Sequence, residues 1–337
     1  MARRSTGRRS MGGRVRVVFF GSPKFAVPSL EALAKDPRFE VALVVTQAAR
    51  GSSPVERAAA DLGLPIYKPV SLRDAESRAP LVAAESDVFV VAAFGLIFRR
   101  RTLAIPRLGS VNVHPSLLPR YRGAVPIPAA IAAGDRETGV SLMVMDEGID
   151  TGAVISTARA PIAAEDTAET LGQRLAALGA AQLVRDMPRW AAGALPPQTQ
   201  GDDEATLTRP LTKADGWIDW SRRAGDLERH VRAMWPWPRA WTTVDDTLLQ
   251  VHQAAVVDAA AAPGDVIPDR KRLLVGTGDG VLELLEVEPA GRRAMSATAY
   301  LNGRRAPLER LGASGDPGPL PPFVVKAPQQ GTGERQD

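Results

Sequence analysis

The sequence predicts an α/β protein: an open domain on a parallel-rich sheet, then a smaller domain of short strands that closes into a β-barrel. Three observations carry this. Through residues 14–192, near-continuous apolar runs of strand length alternate with helical patterns, as in parallel strands buried on both faces. A Pro/Gln/Gly/Asp-rich stretch at residues 193–206 interrupts the pattern and reads as a linker. Beyond it, residues 207–312 hold five of the six tryptophans and a series of short β-type runs separated by turns.

Residues 14–20 (RVRVVFF) form the first buried strand, which stops at Gly21-Ser22-Pro23 and gives way to helical spacing over residues 25–34. Residues 40–46 (EVALVVT) form a second strand, 54–62 a short helix and 87–93 (DVFVVAA) a third strand. Residues 110–114 and 140–145 (VSLMVM) are further strands, and 164–190 is a long Ala/Leu-rich helical region. In the smaller domain the strands fall at 241–244, 248–257, 273–275 and 281–287. The Pro/Gly-rich tail, residues 313–337, is expected to be disordered. So is the Arg/Ser-rich arm of residues 1–13, unless translation starts at Met11. That arm has no apolar face, which argues against a transit peptide.

Composition removes several classes of chemistry. There is no cysteine, so disulfides, thiolate nucleophiles and Cys-ligated metals are excluded. No apolar run reaches the ~18 residues that span a bilayer. A soluble, cytoplasmic monomer without a metal is the resulting expectation. The net charge of +4 permits a polyanionic partner such as RNA without demanding one. The turn after the first strand lacks the second and third glycines of a dinucleotide fingerprint. No Walker A sequence and no G-x-S-x-G elbow occur. The loop from Asp146 fails as a calcium loop, with Gly148 at the third position and Thr157 where the bidentate Glu belongs.

The chemistry concentrates in VNVHPSLLPRYRGAVPIPAAIAAGDRETGVSLMVMDEGIDTG, residues 111–152. Ligands of open α/β domains bind at the carboxyl ends of the strands. The two-residue period places Asn112 and His114 on one strand face near that end. Asp150 follows the carboxyl end of another strand and is expected to approach the same crevice. Asn112 offers an uncharged amide donor to a developing oxyanion. Asp150 can hold the imidazole of His114 and stabilise its charged form. The other histidines, His230 and His252, read as structural residues. The tryptophans at 217, 220, 235, 237 and 241 read mainly as core. The groups Arg222-Arg223, Arg229, Arg232 and Arg270-Lys271-Arg272 read as a solvated face or a phosphate track.

These motifs, with FFGSPKFAVPSLEAL, VAAFGLI, IDWSRRAGDLERHVRAMWPWPRAW and TGDGVLELLEVEPAGRRAMSA, make the chain similar to the methionyl-tRNA formyltransferases over about residues 15–311. The resemblance implies a Rossmann-like formyltransferase domain followed by an OB-like domain that helps bind tRNA. It implies Asn112, His114 and Asp150 as catalytic residues. It places Ser116, Leu117, Leu118 and Pro119 on a folate-binding segment, and Phe94, Gly95, Leu96 and Ile97 along the pterin pocket. The implied co-substrate is 10-formyltetrahydrofolate and the implied partner is initiator methionyl-tRNA.

The chain departs from the family pattern in three places. Residues 48–53 (AARGSS) are shorter than the basic, Gly-rich loop usual there, Pro128 stands for a usual Gln, and Phe98-Arg99 for a usual Leu-Pro. A sugar-nucleotide formyltransferase, a formyltetrahydrofolate hydrolase and a folate- or RNA-binding protein without turnover are the competing readings.

Overall fold

The computed structural model describes residues 14–48, 51–319 and 321–328. The basic arm, residues 49–50 of the short loop, residue 320 and residues 329–337 lie outside that set. The chain divides into two compact units whose segments interleave. One comprises Met1–Pro119, Gly139–Arg159 and Gln173–Gly201; the other comprises Arg120–Thr138, Ala160–Gly172 and Asp202–Asp337.

The first unit is organised on a seven-stranded sheet in the order Ile66–Tyr67, Phe39–Val45, Val15–Gly21, Val88–Ala92, Ser110–His114, Glu137–Val144, Val154–Pro161. The first five strands pair in parallel, and their apolar runs are buried on both faces: Val17 to Phe20 and Val88 to Val90 are inaccessible to solvent. The strand order runs outward in both directions from Val15–Gly21, which creates a switch point at the carboxyl edge. Gly21 has no substitute there, because a Cβ would come within 2.6 Å of the Ala26 Cβ.

At that edge Phe20 packs against Phe89, Phe94 and Phe98 with ring centroids 4.9–5.2 Å apart, which ties the segment after Val88–Ala92 to the core. The Pro54–Asp61 helix starts in a capping box of Ser53 and Glu56. The Ser53 hydroxyl also lies 2.9 Å from that of Thr46, closing the short loop at its base.

The strand expected at 140–145 begins earlier, at Glu137, and runs antiparallel to Ser110–His114, pairing His114 with Ser141 and Val111 with Val144. Its carboxyl end therefore lies beside the start of the Ser110–His114 strand rather than at the shared carboxyl edge. Asp150 reaches its neighbours by a different route from the one the sequence suggests.

The second unit carries an antiparallel sheet in the order Ala240–Val244, Thr247–Val257, Val281–Pro289, Leu273–Gly276, Val266–Ile267, with Met295–Ser296 added to Val281–Pro289. Register shifts around Gln253 bend its longest strand. The parallel-rich α/β unit with a separate antiparallel sheet agrees with the predicted fold class. Trp220 is buried and its indole N–H donates to the Thr242 hydroxyl at 3.1 Å; Trp217 and Trp241 pack edge to face at 4.9 Å. Trp237 departs from the core reading, with 60% of its surface exposed.

Part of the segment expected to be disordered is ordered instead. Val324–Lys326 pairs with Thr206–Thr208, which pairs in turn with Arg122–Gly123. Two β-branched residues, Val324 and Val325, find a strand edge there, and backbone pairing overrides the Pro/Gly composition around them. The segment read as a linker is likewise shared out: Gln198 bridges to Val154 in the first unit, and Thr206–Thr208 belongs to the second.

His230 is buried on the Ala224–Ala233 helix of the second unit. Burial, reinforced by the Arg222 charge, pushes its pKa down to about 4. The unfolded chain titrates near 6.5, so between those values the unfolded state takes up a proton that the folded state refuses. Stability must therefore fall as pH drops from about 6.5 toward about 4. Urea midpoints measured across that window should fall less steeply in a His230→Gln variant than in the wild type. Equal slopes would contradict this assignment.

Candidate active site

Three of the groups singled out from sequence meet in the first unit. Asn112 Nδ2 donates to Asp150 Oδ1 at 3.1 Å, and His114 Nδ1 lies 3.5 Å from Asp150 Oδ2. The single carboxylate thus addresses the amide with one oxygen and the imidazole with the other. His114 is only 3% exposed and Asp150 is partly buried, so these interactions operate in a medium less screened than bulk water. With Nδ1 turned toward Asp150, Nε2 is the nitrogen on the opposite side of the ring.

The loop that delivers Asp150 explains its own sequence. Asp146 Oδ1 accepts from the Gly148 backbone N–H at 3.0 Å and from the Thr151 hydroxyl at 2.7 Å, drawing the loop into a tight fold. A Cβ on Gly148 would sit 2.1 Å from Thr151 Oγ1, and one on Gly152 only 1.8 Å from the Val144 carbonyl oxygen. Asp150 itself has φ of 51°, a left-handed conformation that Asp tolerates better than most residues but that still stores strain. Its carbonyl and that of Gly152 accept hydrogen bonds from Gln200 Nε2 at 2.8 and 2.7 Å. The loop is folded back along the sheet, which brings Asp150 to Asn112 and His114 although the preceding strand ends beside Val111.

Directly after His114, the Ser116 N–H donates to the His114 carbonyl at 2.9 Å. Ser116 is fully buried. The Ser141 hydroxyl donates to the Ser116 carbonyl at 2.8 Å and accepts from the Leu118 N–H at 3.1 Å. Leu117 fits where Gly139 lacks a side chain, since a Cβ there would come within 2.6 Å of Leu117 Cδ2. Pro119 follows a cis peptide bond. One strand over, Phe94 is buried, Leu96 half-buried and Ile97 80% exposed. Gly95 has φ of 75°, and the Phe94 carbonyl accepts from Gln47 Nε2 at 2.5 Å. Val88–Ala92 and Ser110–His114 are parallel neighbours, so Phe94–Ile97 and Ser116–Pro119 leave the sheet at the same edge.

Sequence reasoning missed two supporting residues. Ser141 left a signal, a hydroxyl inside an apolar strand. Gln200 left none, because it lies in a stretch whose composition reads as a linker. His230 and His252 belong to the other unit; His252 Nε2 lies 3.1 Å from Glu288 and its ring 4.8 Å from that of Trp235. Among the described residues no cluster of three or more His, Asp or Glu could hold a metal ion. Nor is any described helix long and apolar enough to cross a membrane.

Two family matches make the chain a one-carbon transferase. The chain belongs to the formyl transferase family: residues 14–187 match the formyl transferase model and residues 210–305 the model of the formyl transferase C-terminal domain. Similar folds occur in WlaRD, a sugar 3N-formyl transferase crystallised with dTDP and 5-N-formyl-THF (17% identity, 84% of this chain and 100% of that one, TM-score 0.63). The N-formyltransferase of Helicobacter canadensis, in complex with folinic acid and dTDP-3-aminofucose, aligns at 19% identity over 80% of this chain and 98% of its own, with TM-score 0.61. HypX from Aquifex aeolicus, in complex with tetrahydrofolic acid, aligns at 16% identity over 86% of this chain and 47% of its own, with TM-score 0.57.

If Gln200 holds the Asp150 loop in its strained conformation, Gln200→Ala should slow formyl transfer about tenfold or more. It should lower stability by only about 1–2 kcal/mol. Steady-state kinetics beside thermal unfolding would check both, and unchanged turnover would refute the positioning role.

Proposed function

We propose that this protein transfers the formyl group of 10-formyltetrahydrofolate to the α-amine of initiator methionyl-tRNA, giving N-formylmethionyl-tRNA. The observation that carries formyl transfer is the Asp150 carboxylate set between the Asn112 amide and the His114 imidazole. The chain's own C-terminal motifs, IDWSRRAGDLERHVRAMWPWPRAW and TGDGVLELLEVEPAGRRAMSA, support the tRNA acceptor. Binding of a folate is supported by the solved structures of similar fold, which hold formyl-THF, folinic acid or tetrahydrofolic acid.

In this reading the reacting carbonyl sits against Asn112 and His114, in front of the Ser116–Pro119 and Phe94–Ile97 segments. As the amine attacks, negative charge grows on the formyl oxygen, and N–H donors from Asn112 and His114 stabilise it where water is excluded. Asp150 orients both donors and balances positive charge on the imidazole. The new C–N bond to the α-amine forms as the C–N10 bond breaks. The proton that the amine gives up is the one the departing N10 needs, and His114 with Asp150 lies in position to pass it. No covalent intermediate with the protein is required.

A second acceptor keeps specific support. The aligned structures of WlaRD and the Helicobacter canadensis enzyme contain dTDP or a dTDP-amino sugar and cover most of this chain, so an amino-sugar nucleotide is the competing substrate.

Asn112→Ala and His114→Ala should each lower kcat about 10²–10³-fold while the fold is retained. Formylation of charged initiator tRNA with 10-formyltetrahydrofolate, run beside elongator methionyl-tRNA and a dTDP-amino sugar, decides the acceptor. Turnover on the initiator tRNA is expected, and turnover confined to the sugar would transfer the assignment to that acceptor.

A further inference from the structure

Basic side chains in this protein differ in whether their charge is neutralised. In the second unit, Arg223, Arg232 and Arg272 lie 3.2, 2.6 and 2.6 Å from Asp279, Glu228 and Glu283, and Arg229 pairs with Asp226. These four belong to the groups that sequence composition marks as a phosphate track, and each of the four has its own carboxylate.

The first unit holds the opposite case. Arg73, Arg78, Arg99, Arg100 and Arg101 line one cleft of about 390 Å³ with a single carboxylate, Glu147. None of the five is in an ion pair among the described residues. Arg78 Nη1 donates to the Leu72 and Arg73 carbonyls at 3.0 and 2.6 Å, which fixes the side chain without an ion pair, its charge acting on Asp74 only through space. Arg73, Arg99, Arg100 and Arg101 are exposed.

Five like charges gathered around one carboxylate repel one another, so the cluster persists at a cost that an anionic ligand would reverse. Its position is defined from both sides. Phe98, immediately before Arg99, is buried against Phe20 and Phe94 at 4.9 and 6.1 Å, so the three consecutive arginines leave the core from a fixed point. Glu147 belongs to the Asp146–Gly152 loop that carries Asp150. The cleft and the candidate catalytic loop therefore share a wall.

We propose that the cleft formed by Arg73, Arg78, Arg99, Arg100 and Arg101 holds the phosphodiester backbone of the acceptor RNA on the catalytic unit. This rests on the reading of the acceptor as a tRNA. An amine that must reach His114 brings its phosphates to the same unit, and this cleft is where uncompensated positive charge faces the loop of Asp150. The guanidinium fork suits phosphate oxygens bidentately.

The test is binding of methionyl-tRNA as a function of salt, for the full-length wild type and for R99S/R100S/R101S. Each phosphate that a substituted arginine no longer neutralises makes the slope of log K against log[salt] shallower by about 0.7–0.9. The variant slope should therefore be shallower by about 2–3 in all, with KM for monoglutamyl 10-formyltetrahydrofolate unchanged. R99K/R100K/R101K should restore most of the slope, which a merely damaged structure would not allow. A serine variant with wild-type affinity and slope would overturn the proposal. So would a variant whose only defect is a raised KM for pentaglutamyl 10-formyltetrahydrofolate, since the cleft would then serve the folate tail. Failure of the wild type to bind methionyl-tRNA would overturn the acceptor reading first, and this proposal with it, before any variant is compared.

Discussion

The structure of the candidate site depends on one carboxylate with two obligations. Asp150 presents one oxygen to the Asn112 amide and the other to the His114 imidazole. It does so only while its backbone stays in a left-handed conformation. That conformation is imposed from outside: Asp146 draws the loop tight, Gly148 and Gly152 remove the side chains that would block it, and Gln200 grips two carbonyls. The D-x-G-x-D-T-G pattern is the sequence form of this constraint. Each fixed position answers to the packing of a neighbour rather than to the chemistry itself, Asp150 excepted.

Much of the fold was legible because its signals are local. Continuous apolar runs such as RVRVVFF and DVFVVAA can be buried only in the middle of a covered sheet, and they are. Asn112 and His114 were legible for the same reason, since a two-residue period leaves no choice of face. What could not be read is what depends on pairing at a distance. The direction of the Glu137–Val144 strand is set by its antiparallel register with Ser110–His114. The ordering of Val324–Lys326 depends on a strand edge offered more than a hundred residues earlier in the chain, at Thr206–Thr208. Gln200 escaped notice because a side chain that holds a loop through two carbonyls needs no pattern around it.

Charge follows the same logic. Composition shows a small excess of basic residues and cannot say which are already matched. In space, Arg223, Arg229, Arg232 and Arg272 of the C-terminal unit turn out to be held by carboxylates, whereas the three arginines after Phe98 are in no ion pair among the described residues. Positive charge outside ion pairs beside the candidate catalytic loop says more about an incoming polyanion than net charge does. It also gives the Phe98-Arg99 departure from the family pattern a physical role.

The central claim is that the charge of Asp150, and not merely its place in the loop, drives the transfer step. Asparagine tolerates a left-handed backbone about as well as aspartate, so Asp150→Asn keeps the loop while removing the charge. Single-turnover formyl transfer by this variant, with co-substrate and acceptor both saturating, measures the chemical step alone. A rate lower by on the order of a hundredfold or more is predicted. A rate equal to that of the wild type would contradict the role assigned to the carboxylate.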